Sequence, residues 1–452
     1  MNIERRDDRM QFNSIEFLFY FLPLFLAVYF IVPAKFRTGI LLVGSLGYYA
    51  FASGGNYWWV AVFGVITLVS YFAGFTLGKP GRGKLLAVYL GILAVTLTFF
   101  KLYNGGRYLP AGMSFYLFQI AAYLIDLQRQ KYYHEKNLVE FASQIAMFPK
   151  LLSGPLMDPR KLQLESKYAA VDKARLREGM QYLVLGLGMK VLIANRMGGL
   201  WSEAGVVGYE FISVPFAWIS LLAYAMQLYF DFYGYSLMAI GLGKLLGYDL
   251  PRNFDSPYAS KSVSEFYRRW HMTLGAWFRE YIYIPLGGNR KGTLITIFNL
   301  LVVWLFTGLW HGVGGNYILW AGFLFLLIVN ERLWLGKLLK KSRVICHLYL
   351  VVVILISWVP FAVGDWSEMV AFLGRLFGIS GSTMNPQDYM TSAAGYEALM
   401  IASVIFATPW PRKLWEKVRK HWITDLFILA LFWVVVYYIA TAAQDPFLYF
   451  QY

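Results

Sequence analysis

The sequence predicts an all-α membrane protein that crosses the bilayer many times. Hydrophobic residues make up 58% of the 452-residue chain and charged residues 15%, whereas an average soluble domain contains about 25% charged residues. Apolar stretches also recur along the chain, and several approach the roughly 17–25 residues that a helix needs to cross about 30 Å of hydrocarbon. These two observations exclude an ordinary water-soluble protein.

Two sets of apolar stretches account for the predicted helices. The longer ones are residues 14–32, 57–77, 85–100, 211–230, 294–310, 344–363 and 426–441. The shorter or more polar ones are residues 39–52, 110–126, 182–194, 317–330 and 394–408. Some of the shorter stretches are expected to enter the membrane and return, because irregular backbone is tolerated at that depth only inside protein. We therefore predict about 10–12 transmembrane or re-entrant helices.

The chain is predicted to form a single domain over residues 1–452, because no repeat of fixed period and no low-complexity tract interrupts it. Residues 1–13 form a short polar leader, in which we expect translation to start at Met10. The stretch 14–32 has no clear cleavage site, so it is expected to remain as the first helix. The longest polar stretch, residues 158–178, is predicted to be a cytoplasmic amphipathic segment.

Basic residues predict the orientation of the C-terminal half. Three basic clusters, at residues 290–291, 332–343 and 412–420, are assigned to the cytoplasm by the positive-inside rule. The connection 364–393 has Arg375 as its only basic residue and is assigned to the outside. Two apolar stretches separate each pair of successive clusters, so the assignment is self-consistent and places the C-terminus outside.

Composition also narrows the classes of function. The formal net charge of +15 would suggest a nucleic-acid partner in a soluble protein, but cytoplasmic loops explain it here, so no nucleic-acid partner is expected. The single cysteine, Cys346, excludes an intrachain disulfide and a cysteine-based zinc cluster. Because it lies within an apolar stretch, we interpret it as a packing residue. We predict neither a bound metal nor a permanently bound cofactor.

His311 is the first candidate catalytic residue. It follows the apolar stretch 294–310, and an ionisable group at such a position is a functional candidate by default. The predicted orientation places it about 25 Å from the cytoplasmic start of that stretch, toward the outer face. Gly308 and Gly312 bracket it and are expected to leave room for a substrate. The alternative is a core histidine that a neighbouring group satisfies.

His271 is the second candidate, and it lies beside Arg268 and Arg269. These arginines, with Arg279, are predicted to bind phosphate groups of a donor, because a guanidinium contacts phosphate through two hydrogen bonds. Contact with lipid headgroups is the equal alternative. The aromatic residues of this stretch fall on helical spacing, which predicts one continuous aromatic face. They are Phe266, Trp270, Trp277 and Tyr281.

Asp231 is a third unusual residue, because it follows the apolar stretch 211–230 and precedes further aromatic residues. A carboxylate in such surroundings is costly unless it is paired. It is predicted to support the site by orienting a histidine or a helix end. A purely structural partner is the alternative.

The motifs, taken in order, resemble those of the membrane-bound O-acyltransferase family. Most of them lie between residues 229 and 312, and weaker support extends over nearly the whole chain. The central motifs are Asp231-Phe232, Gly234-Tyr235-Ser236, Asn253-Phe254, Arg268-Arg269-Trp270-His271, Trp277-Phe278-Arg279, the stretch 281–290 and Thr307-Gly308-Leu309-Trp310-His311-Gly312. The supporting ones are residues 17–26, Ser114-Phe115-Tyr116 with Gln119, Phe148-Pro149 with Gly154-Pro155, and residues 446–450.

Within that family, the chain is most similar to the membrane subunits of alginate, polysaccharide and peptidoglycan O-acetyltransferases. The resemblance implies helices around a central tunnel, cytoplasmic acetyl-CoA as the donor, an essential histidine at His311, and a second histidine, His271, lining the tunnel. Trp310 and Asn289 belong to its motifs and are taken as supporting residues. The implied location is the bacterial cytoplasmic membrane, in contact with lipid. An extracytoplasmic partner of the SGNH-hydrolase type, or another subunit of an acetylation complex, would complete transfer to a glycan.

Three alternatives remain open at the level of sequence. Leu237 is nearer to the teichoic-acid D-alanyl transferases, whose donor is an aminoacyl carrier protein, and Tyr233 replaces a small residue of the acetyltransferase subunits. The stretches 285–290 and 307–309 match the acetyltransferases better. Composition alone also permits a transporter or flippase, although no internal repeat of the transporter kind is visible. A non-catalytic scaffold for an exported enzyme is the third alternative.

Overall fold

The computed structural model describes residues 10–103, 109–168, 171–379 and 381–441, with side chains omitted for 166–168. Within these ranges the chain consists of helices and their connections, with no β-strand. The all-α prediction is therefore confirmed. Residues 1–9 of the polar leader and the motif at 446–450 lie outside the described residues.

The α-helices are numbered in chain order. Those of the first half are α1 (Leu22–Ile31), α2 (Arg37–Ala52), α3 (Tyr57–Leu77), α4 (Gly83–Leu102), α5 (Met113–Gln128), α6 (Leu138–Ala146), α7 (Phe148–Leu151), α8 (Pro159–Tyr168), α9 (Lys173–Gly188), α10 (Asn195–Val207) and α11 (Val214–Leu245). Those of the second half are α12 (Val263–Arg269), α13 (Met272–Phe278), α14 (Thr293–His311), α15 (Gly315–Asn330), α16 (Gly336–Leu339), α17 (Arg343–Ala362), α18 (Trp366–Leu376), α19 (Asp388–Ser392), α20 (Glu397–Phe406), α21 (Pro409–Val418) and α22 (Trp422–Thr441).

Short π-helical segments join several of these helices. Glu16–Phe21 leads into α1, Met189–Ala194 lies between α9 and α10, Arg279–Tyr283 follows α13, and Glu331–Leu335 lies between α15 and α16. Single π-helical turns are uncommon and often occur at functional sites. Three of the four contain residues of the candidate site or its surroundings: Arg279 lies in one, Lys190 in another, and Glu331 with Arg332 in a third.

Seven helical segments of the described chain are long and apolar enough to cross a membrane. They are Tyr57–Leu77, Gly83–Leu102, Lys173–Val207, Thr293–His311, Gly315–Leu339, Arg343–Ala362 and Trp422–Thr441. Glu16–Ile31 and Glu397–Phe406 are shorter apolar helices. The prediction of a multi-spanning helical protein is confirmed, and the orientation from basic loops stays a prediction.

One predicted boundary needs correction, and one polar stretch contains parts of two helices. The stretch 211–230 continues without a break to Leu245 in α11, so Asp231 lies inside a helix and not beyond its end. The polar stretch 158–178 is divided between α8 and the start of α9. The local apolar pattern therefore located the helices better than it located their ends.

The described chain forms two compact units. The first comprises residues 10–187, 234–252 and 430–441, and the second comprises residues 188–233 and 253–429. The single domain over residues 1–452 and the central tunnel both stay predictions. All candidate site residues belong to the second unit. In the first unit, the fully buried aromatic residues Phe12, Phe17, Tyr48, Phe148 and Tyr235 form the core.

In the second unit, α14 packs along α15, and α15 packs against α17. Buried tryptophans fill the space between them: Trp304 and Trp310 on α14, Trp320 on α15 and Trp358 on α17. Because indole rings are large, these contacts bury much apolar area at each crossing. The three helices provide the framework on which His311 is held.

Candidate active site

His271 lies at a break between two helices. The helix α12 ends at Arg269, α13 begins at Met272, and His271 has φ 45° and ψ 52°. This left-handed conformation costs a residue other than glycine roughly 1–2 kcal/mol. The surrounding contacts must therefore hold it in place, and such strain is typical of functional positions.

The break makes the prediction of one continuous aromatic face wrong. Phe266 stacks on Trp270 with ring centroids 5.5 Å apart, and Trp277 contacts Tyr281 at 5.2 Å. These are two separate pairs on two separate segments. The left-handed residue at 271 interrupts the helical period, so spacing across it no longer places side chains on one face.

A buried carboxylate fixes the start of α12. Glu331 accepts hydrogen bonds from the backbone N–H of Val263 at 2.6 Å and of Ser264 at 3.0 Å. The hydroxyl of Ser262 accepts another from the N–H of Glu265. Because the first N–H groups of a helix lack partners within it, these contacts stabilise α12 and define where it begins. The position of Arg268, Arg269 and the residues that follow depends on this start.

Asn253 holds the imidazole of His271. Its Oδ1 lies 3.3 Å from Nδ1 of His271, accepts from the hydroxyl of Thr273 at 2.6 Å, and lies 3.3 Å from the backbone N of Thr273. The N–H of Met272 donates to the carbonyl of Asn253 at 2.8 Å. His271 is 4% exposed, and its ring contacts Phe232 edge-on at 4.7 Å. It lies outside the candidate spans, and burial lowers its pKa, so the imidazole is neutral at physiological pH.

His311 is the last residue of α14 and is half-buried among aromatic rings. Its ring centroid lies 4.6 Å from that of Trp310, 5.0 Å from that of Trp320 and 5.1 Å from that of Phe361. The ring centroid of Trp310 also lies 6.2 Å from that of His271. The structure therefore brings together the two predicted histidines and the predicted supporting tryptophan in one aromatic cluster.

The glycines beside His311 do not have the predicted role. A Cβ atom at Gly312 would lie 2.2 Å from the ring of Tyr317, and one at Gly308 would lie 2.9 Å from the Cβ of Ala321. Residues of α15 therefore occupy the space that we expected a substrate to use. The glycines permit close approach of α14 and α15, which positions His311 indirectly.

Asp231 pairs with a lysine. Its carboxylate accepts from Nζ of Lys190 at 2.6 Å, and both side chains are 2% exposed. Among the alternatives left open for Asp231, this contact supports a partner other than a histidine. Sequence reasoning did not select Lys190, although a lysine inside the apolar stretch 182–194 was a usable signal. A buried pair of this kind is costly to break, because the remaining charge would lose this partner while it stays buried.

The three arginines have different environments. Arg268 is exposed, whereas the guanidinium of Arg269 donates to Glu265 at 2.6 Å. Arg279 is exposed on the π-helical segment after α13. Asn289 is exposed in the following turn. This turn is held by the buried Asn299, whose side-chain amide donates a hydrogen bond to the carbonyl of Gly288 at 2.9 Å. The sequence did not identify Asn299 as a site residue.

Arg268 lines a basic cavity of about 690 Å³. Most of the other cationic residues in its wall come from the cluster 332–343, which was predicted to be cytoplasmic. The full set of basic residues is Lys261, Arg268, Arg332, Lys337, Lys340 and Arg343, and Glu265 and Glu331 are the acidic ones. Glu331 accepts a backbone hydrogen bond at the start of α12, and Glu265 accepts a hydrogen bond from the guanidinium of Arg269. The cavity therefore has the volume and the positive charge to bind a polyanion.

Comparison with known proteins gives a family and several relatives. The model of the membrane-bound O-acyltransferase family matches residues 92–343. A probable alginate O-acetylase AlgI of Pseudomonas putida is 32% identical over 98% of this chain and 100% of the relative. A peptidoglycan O-acetyltransferase of Helicobacter pylori is 26% identical over 98% of this chain and 97% of the relative. A teichoic acid D-alanyltransferase of Streptococcus thermophilus is 27% identical over 51% of this chain and 58% of the relative.

Proposed function

The chain belongs to the membrane-bound O-acyltransferase family and is an O-acyltransferase of the membrane; from this premise we propose that it moves an acetyl group from cytoplasmic acetyl-CoA for O-acetylation of an extracytoplasmic polysaccharide. The single observation that carries the proposal is the cluster of His271, Trp310 and His311. Two relatives that match nearly its whole length are named as an alginate O-acetylase and a peptidoglycan O-acetyltransferase. Both names describe acetyl transfer to a glycan.

His311 is assigned as the general base. Its neutral imidazole takes the proton of an acceptor hydroxyl while the hydroxyl oxygen attacks the thioester carbonyl carbon. The new C–O bond forms, the C–S bond breaks, and the leaving thiolate of CoA receives a proton. General base catalysis of this kind contributes about 10²–10⁴-fold in rate. Direct transfer needs no covalent nucleophile from the protein.

The basic cavity is assigned to the phosphate groups of the donor. Arg268 is the best placed of the predicted arginines, because it lines the cavity together with the cluster 332–343. Arg269 donates a hydrogen bond to Glu265 and is assigned a structural role. A CoA molecule carries three phosphate groups, which six cationic side chains can neutralise. The predicted cytoplasmic location of the cluster agrees with entry of the donor from that side.

The cellular setting is part of the proposal. We assign the enzyme to the bacterial cytoplasmic membrane, with an extracytoplasmic SGNH-type subunit or another member of an acetylation complex as its partner. The acceptor glycan is an exopolysaccharide, an alginate-like polymer or peptidoglycan. Genes for glycan synthesis beside the gene for this chain would support the assignment.

D-alanyl transfer from an aminoacyl carrier protein is the second candidate. The partial match to a teichoic acid D-alanyltransferase and the residue Leu237 favour it. Acetyl transfer is preferred, because the acetylase relative of Pseudomonas putida matches along 98% of this chain. The transporter and scaffold alternatives do not account for membership of an acyltransferase family.

The proposal is tested with membranes that contain the chain, its complex and the glycan. Radiolabelled acetyl-CoA should label the glycan, and His311→Ala should abolish labelling without loss of the protein from the membrane. His421→Ala is the matched control, since His421 is exposed and outside the cluster. Labelling at the wild-type rate by the His311 variant would contradict the assignment. If the glycan is labelled only when radiolabelled D-alanyl carrier protein is supplied, the second candidate, D-alanyl transfer, is the correct function.

A further inference from the structure

We propose that Asn253 is a positioning residue that holds His271 in the tautomer protonated at Nδ1, so that Nε2 accepts a hydrogen bond from an N–H or O–H group of a substrate. The inference rests on the proposed function, since it concerns the same cluster. Asn253 thereby acquires a role, and Nε2 becomes the atom of His271 that faces the reacting groups.

The contacts of Thr273 fix the orientation of the Asn253 amide. A backbone N–H can only donate a hydrogen bond, and that of Thr273 lies 3.3 Å from the amide atom placed as Oδ1. The hydroxyl of Thr273 approaches the same atom at 2.6 Å. An amide nitrogen at this place would point its hydrogens at the N–H of Thr273. The contacts of Thr273 therefore identify the atom as the carbonyl oxygen.

The orientation of the Asn253 amide fixes the tautomer of His271. Because Oδ1 of Asn253 can only accept, Nδ1 of His271, at 3.3 Å, carries the hydrogen. A neutral imidazole has one N–H, so Nε2 then has the lone pair. Burial lowers the pKa of His271, and burial is the whole cause of this shift. The doubly protonated ring, which could donate from both nitrogens, is thereby disfavoured.

Backbone contacts make the arrangement around His271 rigid. The N–H of Met272 donates to the carbonyl of Asn253 at 2.8 Å, and the N–H of Asp255 donates to the carbonyl of Arg269 at 3.0 Å. These two contacts join the segment 253–255 to the chain on both sides of His271. Phe232 packs edge-on against the ring. The strained backbone at His271 and its single side-chain orientation are thus maintained by one connected set of contacts.

The tautomer limits what His271 can do. A lone pair at Nε2 cannot donate to the carbonyl oxygen of a thioester, so His271 does not stabilise that oxygen as it becomes negative. It can accept from the hydroxyl of the acceptor or from an amide N–H of the pantetheine arm of the donor. Acceptance from the hydroxyl would assist proton transfer, and acceptance from the amide would position the donor. The acceptor hydroxyl and the pantetheine amide predict different kinetic effects.

The direct test is solid-state NMR of the membrane-embedded chain labelled with ¹⁵N-histidine. His271→Asn identifies the signals of His271 by their loss, and asparagine tolerates the left-handed backbone of this position. We expect a protonated Nδ1 and an unprotonated Nε2 in the unsubstituted chain. The opposite tautomer would overturn the inference whether or not the acetyl donor has been identified correctly. Asn253→Asp should add a proton at Nε2, because a carboxylate favours the imidazolium.

Kinetics supply the second readout. Asn253→Ala should lower kcat/KM for glycan acetylation about tenfold, and Thr273→Val, which leaves the Asn253–His271 contact in place, should have a smaller effect. The loss should lie in kcat if the hydroxyl is the partner and in KM for acetyl-CoA if the pantetheine amide is. In the His271→Asn background, Asn253→Ala should have no further effect, because its action runs through His271.

Two outcomes separate the possible failures. Equal losses from Asn253→Ala with and without the His271 substitution would show a general structural role and overturn the positioning role. Wild-type membranes that bind the glycan complex but transfer no acetyl group would instead contradict the proposed function. The NMR result would still decide the tautomer in that case. Asn253→Asp, which is nearly isosteric, keeps the test available if Asn253→Ala does not fold.

Discussion

At the scale of single residues, the environment distinguishes the two histidines of the cluster. His271 is buried and held by an amide oxygen, whereas His311 is half-buried at the end of a helix and surrounded by rings. Burial lowers the pKa of His271, which lies outside the candidate spans, and so favours its neutral imidazole. The difference in exposure agrees with an assignment of His311 to the reacting hydroxyl.

Arg268 provides a prediction about donor binding. Arg268→Ala should raise the KM for acetyl-CoA about tenfold with little change in kcat, since a hydrogen bond to a charged group contributes about 1.5–3 kcal/mol and lies far from the reacting carbon. Steady-state kinetics on membranes measure both constants. Arg290→Ala is the matched control, because Arg290 is exposed and does not line the cavity. An unchanged KM would remove Arg268 from the donor site.

Lys190 and Asp231 provide a prediction about stability. Lys190→Met should lower the free energy of unfolding by about 3–5 kcal/mol, because it removes the Lys190 ammonium group from the buried Asp231 carboxylate. Lys190→Met combined with Asp231→Leu should cost less than either substitution alone. Thermal unfolding in detergent gives the comparison.

A matched control for this pair is Arg160→Met. Arg160 pairs with Asp158 at 2.9 Å, but both side chains are more than 40% exposed. Its loss should cost about 0–1 kcal/mol, as expected for an exposed ion pair. If Lys190→Met were as mild as Arg160→Met, the buried pair would not contribute to stability in the way proposed.

At the scale of helices, the pair α14 and α15 decides where His311 lies. Small residues at the crossing allow the two backbones to approach closely, and Trp304 and Trp320 pack beside them with ring centroids 6.0 Å apart. Helices inside a membrane associate through this kind of close packing. His311, at the end of α14, is therefore positioned by a contact surface that starts one helical turn before it.

The packing of α14 on α15 gives a third prediction. Gly308→Ala should destabilise the protein by about 1–3 kcal/mol and reduce acyl transfer, because the added methyl group would meet Ala321 at 2.9 Å and the carbonyl of Tyr317 at 3.0 Å. Thermal unfolding and glycan acetylation are measured together. Gly322→Ala in α15 is the control, since a Cβ there meets no atom within 4 Å. Equal behaviour of the two variants would refute the packing argument.

At the scale of the whole molecule, the orientation in the membrane is the main testable property. A cysteine tag within 364–393 should react with an impermeant reagent added from outside, and a tag within 412–420 should react only after the membrane is opened. The asymmetry of basic residues between the connections is the physical reason. The opposite labelling would reverse the orientation and place the basic cavity on the outer side.

The sequence by itself determined the class of fold, the places of the main membrane-spanning helices and the family. Hydrophobic stretches and ordered motifs are local properties of the chain, so they are visible without coordinates. The stretch 57–77, for example, was predicted with the bounds that α3 has in the structure. His271, His311 and Arg268 were likewise identified because their residue types are unusual in their surroundings.

Only the tertiary structure decided which distant groups contact these residues. Asn253 contacts His271 across 18 residues, and Lys190 pairs with Asp231 across 41. Arg268 shares a cavity with the cluster 332–343, and α15 fills the space beside the glycines around His311. Helical periodicity carries no information about such distant contacts. The left-handed backbone at His271 was hidden for the same reason, since it costs free energy locally and is maintained only by contacts with segments elsewhere in the chain.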